Sequence, residues 1–392
     1  MAVADTSVKI LNSVFTDAPS IPNGTAGNLI TVLDACLVNG FNEITLDSLV
    51  VSSDVATATL STGHGFTMIG PSSAESTTSI GPVIVIAGAT PAALNGEWRI
   101  ASVTDANTFT FETADIADGT ATGTITAKYA PMGWTKEFSG TNKAVYRNDS
   151  VLGSGTYLRV VNTSSNYAIV EMFRTMSDVD TGTFGSSSAD IAYIPYYQNN
   201  APTPWILIGD SCAFYWFIDI YSLSNVPALC HGFCGNLSNS FSEVDINNCV
   251  LAAPDASSYT SVSPLARTAY NATALVASAP SNQTGNPLKA EQWVHLRSYL
   301  NNMYAGYGGI PFSSFGASAL FLLPRLVTTS AEYRGDFPGL FDTINAVQHK
   351  ITDLTVFTIA GHPNIFMYKR ISYWTGTTAP AAIFLDLSGP WR

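Results

Sequence analysis

Hydrophobic and polar positions alternate through much of this chain. Val55-Ala56-Thr57-Ala58-Thr59-Leu60 has period two, Phe109 and Phe111 alternate with Thr108 and Thr110, and Tyr157-Leu158-Arg159-Val160-Val161 alternates again. Period two sends successive side chains to opposite faces, the signature of a β-strand. Val83-Ile84-Val85-Ile86, Trp205-Ile206-Leu207-Ile208 and Phe214-Tyr215-Trp216-Phe217-Ile218 are apolar runs of strand length. Further strands are expected at Val8–Leu11, around Trp98, Ile100 and Val103, at Thr122–Thr126, Val244–Ile246, Thr355–Ile359 and Ile365–Tyr368.

The period changes in two places. Leu29, Ile30, Val32, Leu33, Cys36 and Leu37 fall at helical spacing, with Asn28 placed to cap the start and Gly40 to end the helix. Trp293, Leu296, Leu300 and Met303 fit a second helical stripe within 288–304, and Pro287 suits its first position. Turn chemistry separates the strands. Asn95-Gly96 predicts a tight hairpin, Asp105-Ala106-Asn107 a short turn, and Ser72–Ser79 a mobile hairpin loop between two Gly-Pro pairs. The stretch from Ala252 to Gly285 reads as an exposed loop. The expected fold class is mainly β, a discontinuous β-rich body with one or two helices and an inserted small β-sandwich. Residues 1–45 supply an N-terminal arm and helix of the body, 46–128 the inserted sandwich, and 129–392 the rest of the body.

Composition narrows the function. Of 392 residues, 12% are charged and 46% hydrophobic, against roughly a quarter charged in an ordinary soluble domain. Neutral hydroxyl and amide groups desolvate more cheaply than charges, so this balance suits a chain that buries surface against copies of itself or partners, and equally a thermally sturdy secreted β-protein. The net charge of −12 and the absence of any run of Lys or Arg beyond Lys369-Arg370 argue against direct nucleic-acid contact. No apolar run reaches the roughly 20 residues that span a bilayer, and Met1–Thr6 lacks the cationic and apolar regions of a signal peptide. A chain made in a cytoplasm is expected to keep Cys36, Cys212, Cys230, Cys234 and Cys249 as buried thiols.

Four groups of residues carry a family resemblance. They are Ala4–Ile10 with Leu33–Phe41; Gly63-His64-Gly65-Phe66, Ile86–Gly96 and Thr108–Phe111 in the insert; Gly133–Arg147; and Tyr333–Leu340 with the ending Leu387-Ser388-Gly389-Pro390-Trp391-Arg392. Together they resemble a group of virion structural proteins of tailed bacteriophages, and the insert resembles the small immunoglobulin-like modules of phage appendage and decoration proteins. The resemblance implies a virion location without a choice of head, neck or tail.

Several motifs invite chemistry. Ile206-Leu207-Ile208-Gly209-Asp210-Ser211 resembles the nucleophile block of GDSL esterases, but Cys212 follows the serine and no Asp-x-x-His occurs in the chain. A Gly-Asp turn ending a buried strand is the better account. Cys230-His231-Gly232-Phe233-Cys234 has the spacing of half a zinc site, with Cys249 and Cys212 as further thiolates, but no second compact pair occurs and buried free thiols are the better account. His64, His231, His295, His349 and His362 are scattered, so local hydrogen bonding is expected of them. Asp178-Val179-Asp180 and Asp115–Asp118 lack the run of a calcium loop and read as solvated acids. Phe214–Phe217 with Tyr193, Tyr196 and Tyr197 could stack sugars, although aromatics on strands more often fill a core or an interface. No catalytic, cofactor or metal residue is therefore assigned, and no enzyme is expected. The expectation is a self-assembling virion component in the tail or baseplate, contacting other virion proteins. A head decoration protein is the alternative, and a carbohydrate-binding adhesin that meets a host-surface glycan is the alternative of another class.

Overall fold

A period-two strand has one dry face to bury and two edges to pair, and the chain meets both needs with antiparallel sheets. The computed structural model describes residues 7–22, 24–70, 76–149, 151–183, 192–196, 202–219, 230–238, 248–252, 276–278, 322–328, 333–343, 351–359, 364–371 and 381–391. The fold is mainly β.

Residues 41–129 build one curled sheet from Phe41–Thr45, Ser48–Ser52, Val55–Thr59, Val83–Ala87, Gly96–Asp105, Thr108–Glu112, Gly119–Thr120 and Thr126–Tyr129. Gly96–Asp105 makes it curl. Its first part pairs with Val83–Ala87 and the rest with Thr108–Glu112, with register shifts at Ile100/Ser102 and Val103/Asp105. Such bulges bend a strand and tighten its twist. The circuit then closes, because 41–52 runs beside 119–129. Phe41 lies opposite Tyr129, the Leu46 N–H bonds Ile125 O at 2.9 Å, and Val51 lies opposite Gly119. Closure leaves few free edges. The two halves share a sandwich-like core in which Leu49, Ala58, Ile84, Trp98, Phe109 and Phe111 are buried, each large side chain contributing about 1.5–3 kcal/mol. This sheet starts at Phe41, five residues before Leu46.

Asn95-Gly96 does not form a tight two-residue turn. Asn95 has extended backbone, and its side chain bonds both the N–H and the carbonyl of Ala89 at 2.8 Å. The amide thus staples a longer loop, 88–95, while Gly96 opens the next strand. Asp105 does close a short turn, accepting the Asn107 N–H at 2.8 Å. Ile69 pairs with Ile80, closing a hairpin loop whose residues 71–75 lie outside the described residues.

Three further sheets stack. The central one has six strands in the order Lys9–Asn12, Trp205–Gly209, Ala213–Ile218, Cys230–Asn236, Asn248–Ala252 and Val276–Ser278. On one side lies a five-stranded sheet of Thr135–Gly140, Lys143–Arg147, Tyr157–Val161, Tyr167–Phe173 and Ala192–Pro195. On the other lies a C-terminal sheet ordered Leu322–Thr328, Tyr333–Thr343, Ala381–Asp386, Ile365–Ile371 and Val356–Thr358. Strand Ala213–Ile218 serves two cores at once. Phe214, Trp216 and Ile218 join the core of the five-stranded sheet, which is continuous with the curled sheet. Ala213, Tyr215 and Phe217 join the second core, with Phe337, Leu340, Ile383 and Leu385.

The expected first helix is present and ends at Gly40 as expected, with a different start. It runs Asn28–Leu33 as α-helix and continues as a wider π-helical turn over Asp34–Asn39, closed by the Gly40 N–H on Ala35 O at 2.8 Å. Gly27 is the cap residue and Asn28 is already inside. An orphan N–H is met by Asn162, whose Oδ1 accepts from Leu29 at 3.0 Å. No helix among the described residues is long and apolar enough to cross a membrane. The second expected helix and the strand at Val244–Ile246 lie outside the described residues, as does most of the loop from Ala252 to Gly285; Val276–Ser278 within it is a strand.

Candidate functional site

Asp210 and Ser211 stand where strand Trp205–Gly209 turns back into Ala213–Ile218. Both are buried. The Asp210 carboxylate accepts the N–H groups of Cys212 at 2.8 Å and Ala213 at 2.9 Å, and the Asp210 N–H bonds Ala213 O at 2.9 Å. Its carbonyl accepts the Trp134 indole N–H at 3.0 Å. Gly209 is required here, since a Cβ would lie 2.5 Å from the Ala213 carbonyl oxygen and from the Phe214 Cβ. The carboxylate is thus a turn-closing group. His231, on Cys230–Asn236, lies opposite Phe217, away from the Ser211 turn.

Cys36, Cys212, Cys230 and Cys234 are buried thiols. Burial alone pushes the Cys36 thiol up, and burial outweighs the nearby Trp216 in raising that of Cys230, so neither is a thiolate at neutral pH. Cys234 Sγ lies 3.7 Å from Met172 Sδ, a soft packing contact. Among the described residues no group of three or more His, Cys, Asp or Glu could hold a metal. His64 has the local role expected of it. Its Nδ1 accepts the Phe66 N–H at 2.9 Å, which makes Nε2 the protonated nitrogen, donating to Asp105 O at 2.9 Å. His295, His349 and His362 lie outside the described residues.

The acids have separate duties. Asp118 accepts the Ser53 N–H at 2.9 Å, and Asp178 accepts the N–H groups of Asp180 and Thr181 at 2.7 and 2.8 Å. Asp180 pairs with Lys143 at 2.7 Å and with Arg159. The aromatic run is interior. Tyr215 and Trp216 are 0% and 2% exposed, and Tyr215 Oη donates to Pro338 O at 2.8 Å. Neither ring offers a face for a sugar. Tyr196 is also buried, Tyr193 is part-exposed in an edge-to-face pair with Tyr167 at 5.5 Å, and Tyr197 lies outside the described residues. Lys369, half of the one basic dipeptide, is buried against Asp353.

What the sequence reading missed is a buried charged seam. Lys9 is 1% exposed and meets Glu97 at 2.8 Å. Next to it, Arg99 donates to Gly81 O at 3.0 Å, Val8 O at 3.1 Å and Leu387 O at 3.5 Å. One guanidinium thereby ties the N-terminal strand, the curled sheet and the C-terminal segment. Burial lowers its pKa to about 10, with Glu97 opposing, and it stays charged at neutral pH. The available signal was Lys9 itself, a charge inside the apolar strand Val8–Leu11. No family model matches the chain, and neither does any curated protein.

Proposed function

We propose that this chain is a structural component of a tailed-phage virion, placed in the tail or baseplate, where it contacts neighbouring virion proteins and copies of itself. The observation that carries the reading is how the segments bearing the family resemblance meet. Val8 and Leu387 share Arg99 of the insert. The Gly133 and Trp134 N–H groups bond Leu37 O at 3.0 and 2.9 Å. Trp391 packs so tightly on Gly339 that a Cβ there would lie 2.1 Å from its indole nitrogen, and its ring meets Tyr215 edge-on at 5.5 Å. The shared segments are therefore the seams of a scaffold, which fits a family defined by shape. The low charge and the interior placement of the chemically suggestive side chains support the same reading.

The test is gold-labelled antibody against the chain on purified particles of the phage that encodes it, followed by cryo-electron microscopy. Label on the tail is expected. Label over the capsid lattice would replace the tail with head decoration, and unlabelled particles would end the virion reading.

A further inference from the structure

Two side chains on the outer face of the five-stranded sheet reach up to a short hairpin that crosses it. The hairpin is Thr175–Met176 paired with Gly182–Thr183, two residues a side. A ladder that short is marginal by itself, so its position depends on what its tip touches. Arg159 Nε donates to Val179 O at 2.8 Å, and another guanidinium nitrogen meets Asp180. Lys143 Nζ reaches both Asp180 oxygens, at 2.7 and 2.8 Å. Asp178 shapes the tip by accepting the N–H groups of Asp180 and Thr181. Glu171, beside Arg159 on the sheet at 2.7 Å, holds the guanidinium from below. The apolar hold comes from the buried Met176 and a few close contacts. Val179 lies over Gly140, and Gly182 rides against Phe173 and Met176. Val145, opposite Arg159 on that face, is nevertheless fully buried.

We propose that residues 175–183 form a charge-latched strap, closed by the Asp180 carboxylate on Lys143 and Arg159, which lifts from the sheet as one unit when that charge is screened or removed. The inference is independent of the virion reading. Lys143, and then Arg159, hold the Asp180 carboxyl below the ordinary carboxylate range. A depressed carboxylate favours the closed form above about pH 4 and loses that effect as the pH falls further. Its other charged neighbours are Glu171 across Arg159 and Asp178 on the strap itself. The pair is solvent-exposed, so salt acts on it directly.

Hydrogen exchange read by mass spectrometry on the full chain tests this. In Asp180→Asn, exchange over 175–183 is expected to rise about fivefold, the scale of an exposed ion pair, while strand Tyr157–Val161 keeps its rate. Wild-type protein in 1 M salt, where the screening length is about 3 Å, is expected to match the variant, and the variant is expected to be insensitive to salt. Trypsin should then cut after Arg174 faster in the variant. Unchanged exchange in Asp180→Asn, or equal loosening of Tyr157–Val161, would overturn the proposal.

Discussion

Strand Tyr157–Val161 buries Leu158 and Val160 and leaves Tyr157, Arg159 and Val161 part-exposed, whereas Ala213–Ile218 buries all six of its side chains. Both are interior members of antiparallel sheets. The difference lies in what their faces meet. The five-stranded sheet sets one face on a core, so its sequence alternates. The central sheet lies between two cores, so its sequence has no solvent face to record. A strand buried twice must also satisfy any polar group it carries inside the protein. That is why residues suggestive of chemistry collect there: Asp210, Ser211, Tyr215, Trp216, Cys230, His231 and Cys234 are all buried on the central sheet or its turn. The same crowding that resembles an active site in sequence is interior packing in three dimensions.

The comparison can be broken first where it predicts most. Trp216→Ala and Phe217→Ala, on opposite faces of one strand, are each expected to cost about 3–5 kcal/mol in denaturant unfolding. A small loss from either would mean that one face is not a true core. Arg99→Met comes next. It removes the shared donor from three carbonyls at the seam, an expected cost of about 1–3 kcal/mol, and the urea midpoint would fall with little change in slope. Smallest is Val161→Thr on the part-exposed face of the five-stranded sheet, expected within about 0.5 kcal/mol of wild type. A loss like that of Trp216→Ala there would show the outer face to be buried as well.

Much of the architecture was legible. The alternating Thr and Phe of Thr108–Glu112 and the apolar run Val83–Ile86 marked strands because burial of one or both faces leaves a period in the sequence. The helix was legible from its stripe, but its start was not, since the donor that needed a partner found Asn162, 133 residues away. Asn95-Gly96 misled for a related reason: the dipeptide favours a tight turn, yet the Asn95 amide bonds Ala89 instead. The Arg99 seam was illegible because Gly81, Val8 and Leu387 offer only backbone carbonyls, which every residue possesses. The strap was half legible. Asp178 and Asp180 read as exposed loop acids, and the cations that Asp180 answers to lie on other strands.

Among the described residues, strand Lys9–Asn12 pairs with Trp205–Gly209, Lys9 opposite Gly209 and Asn12 opposite Ile206. On a ribosome adding about 5–20 residues per second, a separation of roughly 200 residues is a wait of about 10–40 seconds. During that interval the nascent strand, with its buried lysine and apolar neighbours, has no edge to join. A strand made about 200 residues before its partner is thus a late arrival in the folded sheet. Such long-range closure is slow and leaves the growing chain exposed to wrong partners, which makes production of the protein, more than its final stability, the stage most sensitive to crowding by its own copies.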